Sequence, residues 1–232
     1  MKKIGIIGAM EEEVIIIRDK MDNKEAYKIA GMDFYKGFLN NTELVIVQCG
    51  IGKVNAAVCT QALIDHFNVD YIINTGVAGG IYSQLEIGDI VISEDAVQHD
   101  FDTRAFGYPL GVIPRMEESF FRADDHLVQL AHQSSKNLNL KANVYIGRIA
   151  SGDQFISDVN ENRRIWENFN AYCTEMEGAA IAQTCYLNKI PFVIIRAISD
   201  KADHSAEVNF QEFVNEAAKN SSDLIIEILN NI

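Results

Sequence analysis

Three groups of carboxylates stand where strands of an α/β protein should end. Glu13 lies one turn into the helical stretch that follows the first apolar run. Glu175 and Glu177 bracket Met176 just before another helical stretch, and Asp200 follows Ile198-Ser199 at the end of the run Pro191 to Ile198. Acids from separate strand ends of one sheet can converge on one pocket, and converging acids are costly unless they have work. Ordinary roles compete with that reading. The run Glu11-Glu12-Glu13 suits a helix N-terminus, where the dipole favours each negative charge by roughly 0.3–1 kcal/mol, and Asp200 suits a cap or turn. Arg196 is harder to assign to the scaffold, because a buried guanidinium needs a carboxylate or a ligand oxygen beside it.

Such an inventory matches the cleavage of a ribosyl C–N bond. That reaction passes through an oxocarbenium-like transition state: an acid protonates the leaving group, and a carboxylate base activates water on the opposite face. An adenine leaving group takes its proton at N7, within reach of an aspartic acid. A third carboxylate can accept hydrogen bonds from the ribose hydroxyls.

The glycine patterns do not indicate phosphate binding. Gly5-Ile6-Ile7-Gly8 lacks the spacing of a dinucleotide fingerprint, which excludes a dehydrogenase of that type. Gly50-Ile51-Gly52-Lys53 ends like a phosphate loop, but Val47 stands five residues before Gly52 and Val54 replaces the hydroxyl that would hold magnesium. These glycines suit tight turns at strand ends, which is also where open α/β sheets bind their ligands. No cofactor or metal is expected.

The elements that must position these residues follow from periodicity. Ile4 to Ala9 reads as a buried strand and Glu11 to Met21 as a helix. Asp33 to Leu39 and Glu43 to Cys49 form an antiparallel pair around Asn40-Asn41-Thr42. Lys53 to Phe67 is helical, and Tyr71 to Thr75 is a strand ending in the loop Gly76 to Gly80. Gly88 to Ser93 and Val144 to Ala150 are strands separated by a long polar, aromatic connection and a helix over Asp124 to Lys136. Glu177 to Leu187 is helical, and Pro191 to Ile198 is a central strand. Phe210, Phe213, Val214, Ala217, Ala218, Leu224, Ile225 and Ile228 fall at spacings of three and four, one face of a final helix. Continuously apolar strands alternating with helices imply a three-layer α/β/α domain over residues 1–232, with a central sheet that the early hairpin makes mixed.

Composition narrows the partners. The 232 residues carry 20 Lys and Arg against 33 Asp and Glu, a net charge of -13, which opposes nucleic acid and anionic lipid but not a small neutral nucleoside. Cys49, Cys59, Cys173 and Cys185 are far apart, without metal-ligand spacing, and read as buried reduced thiols of a cytoplasmic protein. The apolar run after Met1-Lys2-Lys3 is cut short by Glu11 and is too brief for a secretion signal. No stretch approaches the ~20 apolar residues of a membrane span.

The motifs are together similar to those of the 5′-methylthioadenosine/S-adenosylhomocysteine nucleosidases of the nucleoside phosphorylase superfamily. The matching segments are Ile4-Gly-Ile-Ile-Gly-Ala-Met-Glu-Glu-Glu13, Gly50-Ile-Gly-Lys53, Ile73-Asn-Thr-Gly-Val-Ala-Gly-Gly80 and Ala105-Phe-Gly-Tyr108. Ser151-Gly-Asp-Gln-Phe-Ile156, Glu175-Met-Glu177 and Arg196-Ala-Ile-Ser-Asp200 complete the set. Each alone is weak, but in this order they span essentially the whole chain.

The resemblance implies a hydrolase of 5′-thio-substituted adenosines that releases adenine, with Glu13 as the water-activating base and Asp200 as the acid toward adenine N7. It places Glu177 on the ribose hydroxyls beside Glu175, with Met176 against the sugar. It implies that Phe155 stacks on adenine and that the Phe155-Ile156 backbone reads its edge. Arg196 and Ser199 would position the water, Glu13 and Asp200. Met10, Ile51 and Phe210 would line the sugar and its substituent, with Val77 and Gly79 from the glycine loop. It also implies a homodimer in which Phe106 and Pro114 close the partner's pocket. The chain departs from the family pattern at Val77, where Ser is usual, at Phe101 and Arg104, and at Gly178. The rivals are an aminodeoxyfutalosine nucleosidase, a purine nucleoside phosphorylase and a non-catalytic nucleoside sensor.

Overall fold

The computed structural model describes residues 2–138 and 142–232. Its elements run β1 (Lys3–Gly8), α1 (Glu11–Asp19), β2 (Asp22–Ile29), β3 (Met32–Leu39), β4 (Thr42–Gln48), α2 (Lys53–Ala62), β5 (Tyr71–Gly80) and β6 (Ile90–Gln98). They continue with β7 (Phe120–Arg122), α3 (Asp125–Asn137), β8 (Val144–Ser151), α4 (Val159–Phe169), β9 (Cys173–Glu175), α5 (Gly178–Asn188), β10 (Phe192–Asp200) and α6 (Ala206–Asn231). β1 is buried at every residue after Lys3, and β10 along its whole length, the pattern of parallel strands covered on both faces.

The strands make one mixed sheet centred on β5. β5 pairs in parallel with β1 and with β10. β1 continues in parallel to β4, which leads antiparallel to β3 and β2. On the other side β10 meets β6 antiparallel, β6 meets β8 and β8 meets β9 in parallel, and β9 returns antiparallel to the tip of β5. The strands β5, β10, β6, β8 and β9 thus close on themselves. That closure brings Gly79, Thr174, Glu175, Ser151 and Asp200 to one place in the register.

Helices cover both faces, as the sequence predicts. Val14 and Ile17 of α1, Leu127 and Ala131 of α3, and the Ala217, Ala218, Leu224, Ile225 and Ile228 stripe of α6 share one apolar core. Ala56 and Cys59 of α2 and Ala179 to Ala182 of α5 belong to the other. Ile165 and Phe169 of α4 close the rim against Val97, Ala150 and Ile156.

Several boundaries differ from the sequence reading, each for a physical reason. Gly76 to Gly80 is not a loop: β5 runs on through it, paired with β10 as far as Gly79 and with β9 at Gly79 and Gly80. Glycines are needed there because a Cβ on Gly76 would land on the Glu13 carboxylate and 2.8 Å from Arg196 Nη1. β6 continues past Ser93 to Gln98 through the polar Glu94 and Asp95, where a register shift absorbs the irregularity. β2 has no apolar alternation because its residues are almost all exposed. α4 buries only Ile165 and Phe169, too sparse a stripe to read, although Asp158 caps it by accepting from the Asn160 and Glu161 amides.

Candidate active site

Glu13 is the third residue of α1, and its side chain folds back over the turn that precedes the helix. Oε2 accepts from the Ala9 and Met10 amides at 2.6 and 2.9 Å, and Oε1 from the Val77 amide at 3.0 Å. Three backbone donors, just after β1, just before α1 and within β5, therefore converge on one carboxylate. Burial raises its pKa above the ordinary glutamate value, against the opposing pull of the Arg196 charge and those three amides. Val77 meets Glu13 through its backbone, so the departure from the family's Ser leaves this bond in place.

Asp200 is the last residue of β10, where the register against β5 shifts between Ile198 and Asp200. A bulge at a strand end re-aims the side chain that follows it. Oδ1 accepts from the Ala202 amide at 2.8 Å and Oδ2 from the Ser199 hydroxyl at 2.9 Å. Burial raises its pKa over the opposing effect of these two bonds, and the negative Asp203 adds to the rise.

Arg196 and Glu175 form a fully buried pair. The guanidinium donates to Glu175 Oε2 and, at 2.6 Å, to Asn74 Oδ1. The remaining capacity of Glu175 is used by the Ser151 hydroxyl and by the Glu177 and Gly178 amides at the start of α5. Burial alone would lift the Glu175 pKa, but the Arg196 charge and these donors hold it below the ordinary value. Glu175 borders the cavity with its oxygens engaged inside the protein. Arg196 lies behind the cavity wall and acts on Glu13 through its charge. Glu177 accepts from the Gly52 amide at 2.8 Å, and burial, then the adjacent Glu175 charge, raises its pKa.

These groups surround a cavity of about 380 Å³. Glu13, Asp200, Glu175, Met176, Glu177, Phe155, Ile156, Ser199, Met10, Ile51, Val77, Gly79 and Phe210 all line it. Phe155 meets Phe210 edge-on, with ring centroids 5.9 Å apart. Phe106 and Pro114 do not border it, and Phe106 is 81% exposed. Ala9, Ala78, Gln154 and Thr174 also line it and were not singled out in the sequence. Two buried polar residues behind it were missed as well. Asn74 anchors Arg196 while donating to the Ile7 carbonyl at 2.9 Å, and Ser151 joins Glu175 to the Ala179 amide at 2.7 Å. Asn74 interrupts the apolar Tyr71-Ile72-Ile73 run as Arg196 interrupts its own strand, so the same signal could have found it.

A mixed sheet closed at one end, with a nucleoside-sized cavity walled by glutamates and an aspartate, defines the class: residues 3–230 match the family model described as the phosphorylase superfamily. The chain is 48% identical over 230 residues to a 5′-methylthioadenosine/S-adenosylhomocysteine nucleosidase of Staphylococcus carnosus, covering 99% of this chain and 100% of the relative. A solved nucleosidase of the same description from Neisseria meningitidis, in complex with methylthio-immucillin-A, superposes with a TM-score of 0.96 at 40% identity, covering all of both chains. The futalosine hydrolase of Helicobacter pylori gives a TM-score of 0.94 at 33% identity, covering 100% of this chain and 98% of that one. The chain belongs to the 5′-methylthioadenosine/S-adenosylhomocysteine nucleosidase family of that superfamily.

Proposed function

We propose that this protein hydrolyses the N-glycosidic bond of 5′-methylthioadenosine and S-adenosylhomocysteine, releasing adenine and the thio-substituted ribose. The observation that carries the reading is the placement of the Glu13 carboxylate on the amides of Ala9, Met10 and Val77. Converging backbone amides at a helix start are the natural seat of an anion, and here the protein's own carboxylate fills it. A phosphate brought to the same side of the sugar would lose those donors and meet a like charge, a repulsion of about 4 kcal/mol at ~4 Å in an effective dielectric of ~20. Lys53, the cation nearest the Gly50 to Gly52 loop in sequence, does not offset it. Its ammonium donates to Asp100 at 2.6 Å and Gln98 at 3.0 Å. Water is the nucleophile that fits.

In this reading Glu13 takes the proton from the attacking water while Asp200 delivers one to adenine N7 as the C–N bond breaks. Burial around Asp200 favours the protonated acid that this step needs. Glu177 accepts from the ribose hydroxyls, Met176 packs on the sugar, and Phe155 stacks on the base with the Phe155 and Ile156 backbone reading its edge. Met10, Ile51 and Phe210 hold the thio-substituent. Arg196 and Glu175 keep the floor charged and fixed, and Ser199 orients Asp200. We further infer a cytoplasmic homodimer. Its support is the exposed Phe106, the exposed Val54 and Val58 of α2 beside cavity-lining Ile51, and four buried free cysteines. Among the described residues no helix is long and apolar enough to cross a membrane.

The test is incubation with methylthioadenosine, S-adenosylhomocysteine, adenosine and inosine, with and without phosphate, followed by mass identification of the sugar. Free thioribose from the first two, with no acceleration by phosphate, is the expected result. Thioribose 1-phosphate as main product would make it a phosphorylase. Faster release of adenine from aminodeoxyfutalosine than from either thio-nucleoside would move the assignment to that rival.

A further inference from the structure

Outside the cavity lining, three charged residues from distant parts of the chain form a closed ring. Lys53, the first residue of α2, donates its backbone amide to Asp153 Oδ1 at 2.8 Å. Its ammonium donates to Asp100 Oδ1 at 2.6 Å, and Asp100 Oδ2 accepts from the Asp153 amide at 3.0 Å. Gln98 joins at 3.0 Å through Lys53 Nζ and passes the linkage to Gln183 of α5. Lys53 and Asp100 are largely shielded, with side-chain exposures of 19% and 17%. Two glycines leave the space the ring needs. Gly52 has φ +98° with Asp153 Oδ1 3.2 Å from where a Cβ would stand, and a Cβ on Gly152 would fall 3.1 Å from Asp100 Cγ.

The place of the ring gives it a use. On one side of it, the Gly50 to Gly52 loop presents Ile51 to the cavity and donates the Gly52 amide to Glu177. On the other, the segment from Gly152 carries Gln154, Phe155 and Ile156 into the same cavity. The loop holds the sugar half of the pocket and the segment holds the base half, and each leaves the sheet after one backbone bond, from Gly50 to the Ala9 carbonyl and from Gly152 to the Glu175 carbonyl. We propose that Lys53, Asp100 and Asp153 are positioning residues that set the spacing between the base-holding segment and the sugar-holding loop, and so select ligands that span both halves. This rests on the nucleoside reading above.

A spacing device has a signature that a scaffold contact lacks. A ligand confined to the base half should be indifferent to the ring, whereas one that bridges both halves should not. The probes are adenine and the non-hydrolysed nucleoside analogue 5-methylthiotubericidin, titrated by calorimetry against the wild type, Lys53→Met, Lys53→Arg and Asp100→Asn. The expected result is a weakening of roughly tenfold or more for the analogue in Lys53→Met and Asp100→Asn, the scale of a lost charge-assisted hydrogen bond. Adenine affinity should stay within about twofold, and Lys53→Arg should recover most of the loss. Equal weakening of both probes would overturn the proposal and leave the ring as scaffold, as would no weakening of either. Asp153→Ala, which removes the acceptor of the Lys53 amide and keeps the Asp153 amide that Asp100 holds, serves the same comparison if a Lys53 variant does not fold. Failure of the wild type to bind the analogue would defeat the nucleoside reading itself, and is distinct from normal binding by wild type and variants alike.

Discussion

At the scale of single residues the site is a problem of keeping acids in the protonation state each needs. In the proposed mechanism Glu13 must be ionised to accept a proton from water; the three amides and the Arg196 charge favour that form, and burial, the larger effect, opposes it. Glu13→Gln preserves the shape but cannot take the proton, so turnover should fall by roughly 10²–10⁴-fold while analogue affinity stays near native. Near-native turnover would remove Glu13 from the mechanism. In the same proposed mechanism Asp200 must be protonated, so activity should decline as pH rises through its pKa. Ser199 opposes that protonation, because its hydroxyl donates to Oδ2 and stabilises the ionised form. Ser199→Ala should therefore raise the Asp200 pKa and move the alkaline limb of kcat/KM to higher pH. A limb that stays in place in this variant would show that Asp200 is not the group titrating there.

Secondary-structure elements decide where these side chains end. β5 carries glycine where β-branched residues would suit the strand better, and the reason is space: Gly76 stands against the Glu13 carboxylate and the Arg196 guanidinium at once. Gly76→Ala should cost about 1–3 kcal/mol of stability through overpacking, read as a Tm lowered by several degrees for a chain of this size. Because the clash falls on Glu13, turnover should drop far more than the loss of folded protein explains. Unchanged Tm and turnover would mean that β5 can shift away from α1, against the tight parallel register with β1 and β10. The strand-end bulge at Asp200 belongs to this scale too, as does the seat of Glu13, built from pieces of β1, α1 and β5 together.

Taken as a whole, the molecule gathers its site by closing β9 onto the tip of β5. Phe106 is held out in a short turn at Arg104–Phe106, away from its own cavity. If a partner takes it up, Phe106→Ala should weaken analogues with long or apolar 5′-substituents more than it weakens adenosine, and the wild type should sediment as a dimer at assay concentration. A fully active monomer by sedimentation velocity would contradict the completed-pocket reading.

The residue types, their order and the periodicity around them were enough to specify the layered α/β class and the stripe of α6, and the family resemblance of the motifs added most of the residues that line the cavity. Those properties depend on local patterns: apolar runs for covered strands, spacings of three and four for the docked helix, and motif segments whose order survives in one dimension. Other features were decided only in three dimensions. No local signal shows that Gly76 to Gly80 continues as strand, because that follows from pairing with β10, more than a hundred residues away. β2 and α4 were missed because one is exposed on nearly every residue and the other buries only two apolar side chains. The sequence marked Arg196 as needing a partner without saying which; the fold supplies Glu175 and Asn74 and leaves Asp200 to Ser199 and Ala202. The ring of Lys53, Asp100 and Asp153 was likewise illegible, since it consists of contacts between residues 47 to 100 positions apart. Periodicity reports which face of an element is buried, but the choice of partner for a buried charge is made by the packing of elements that are distant in the chain.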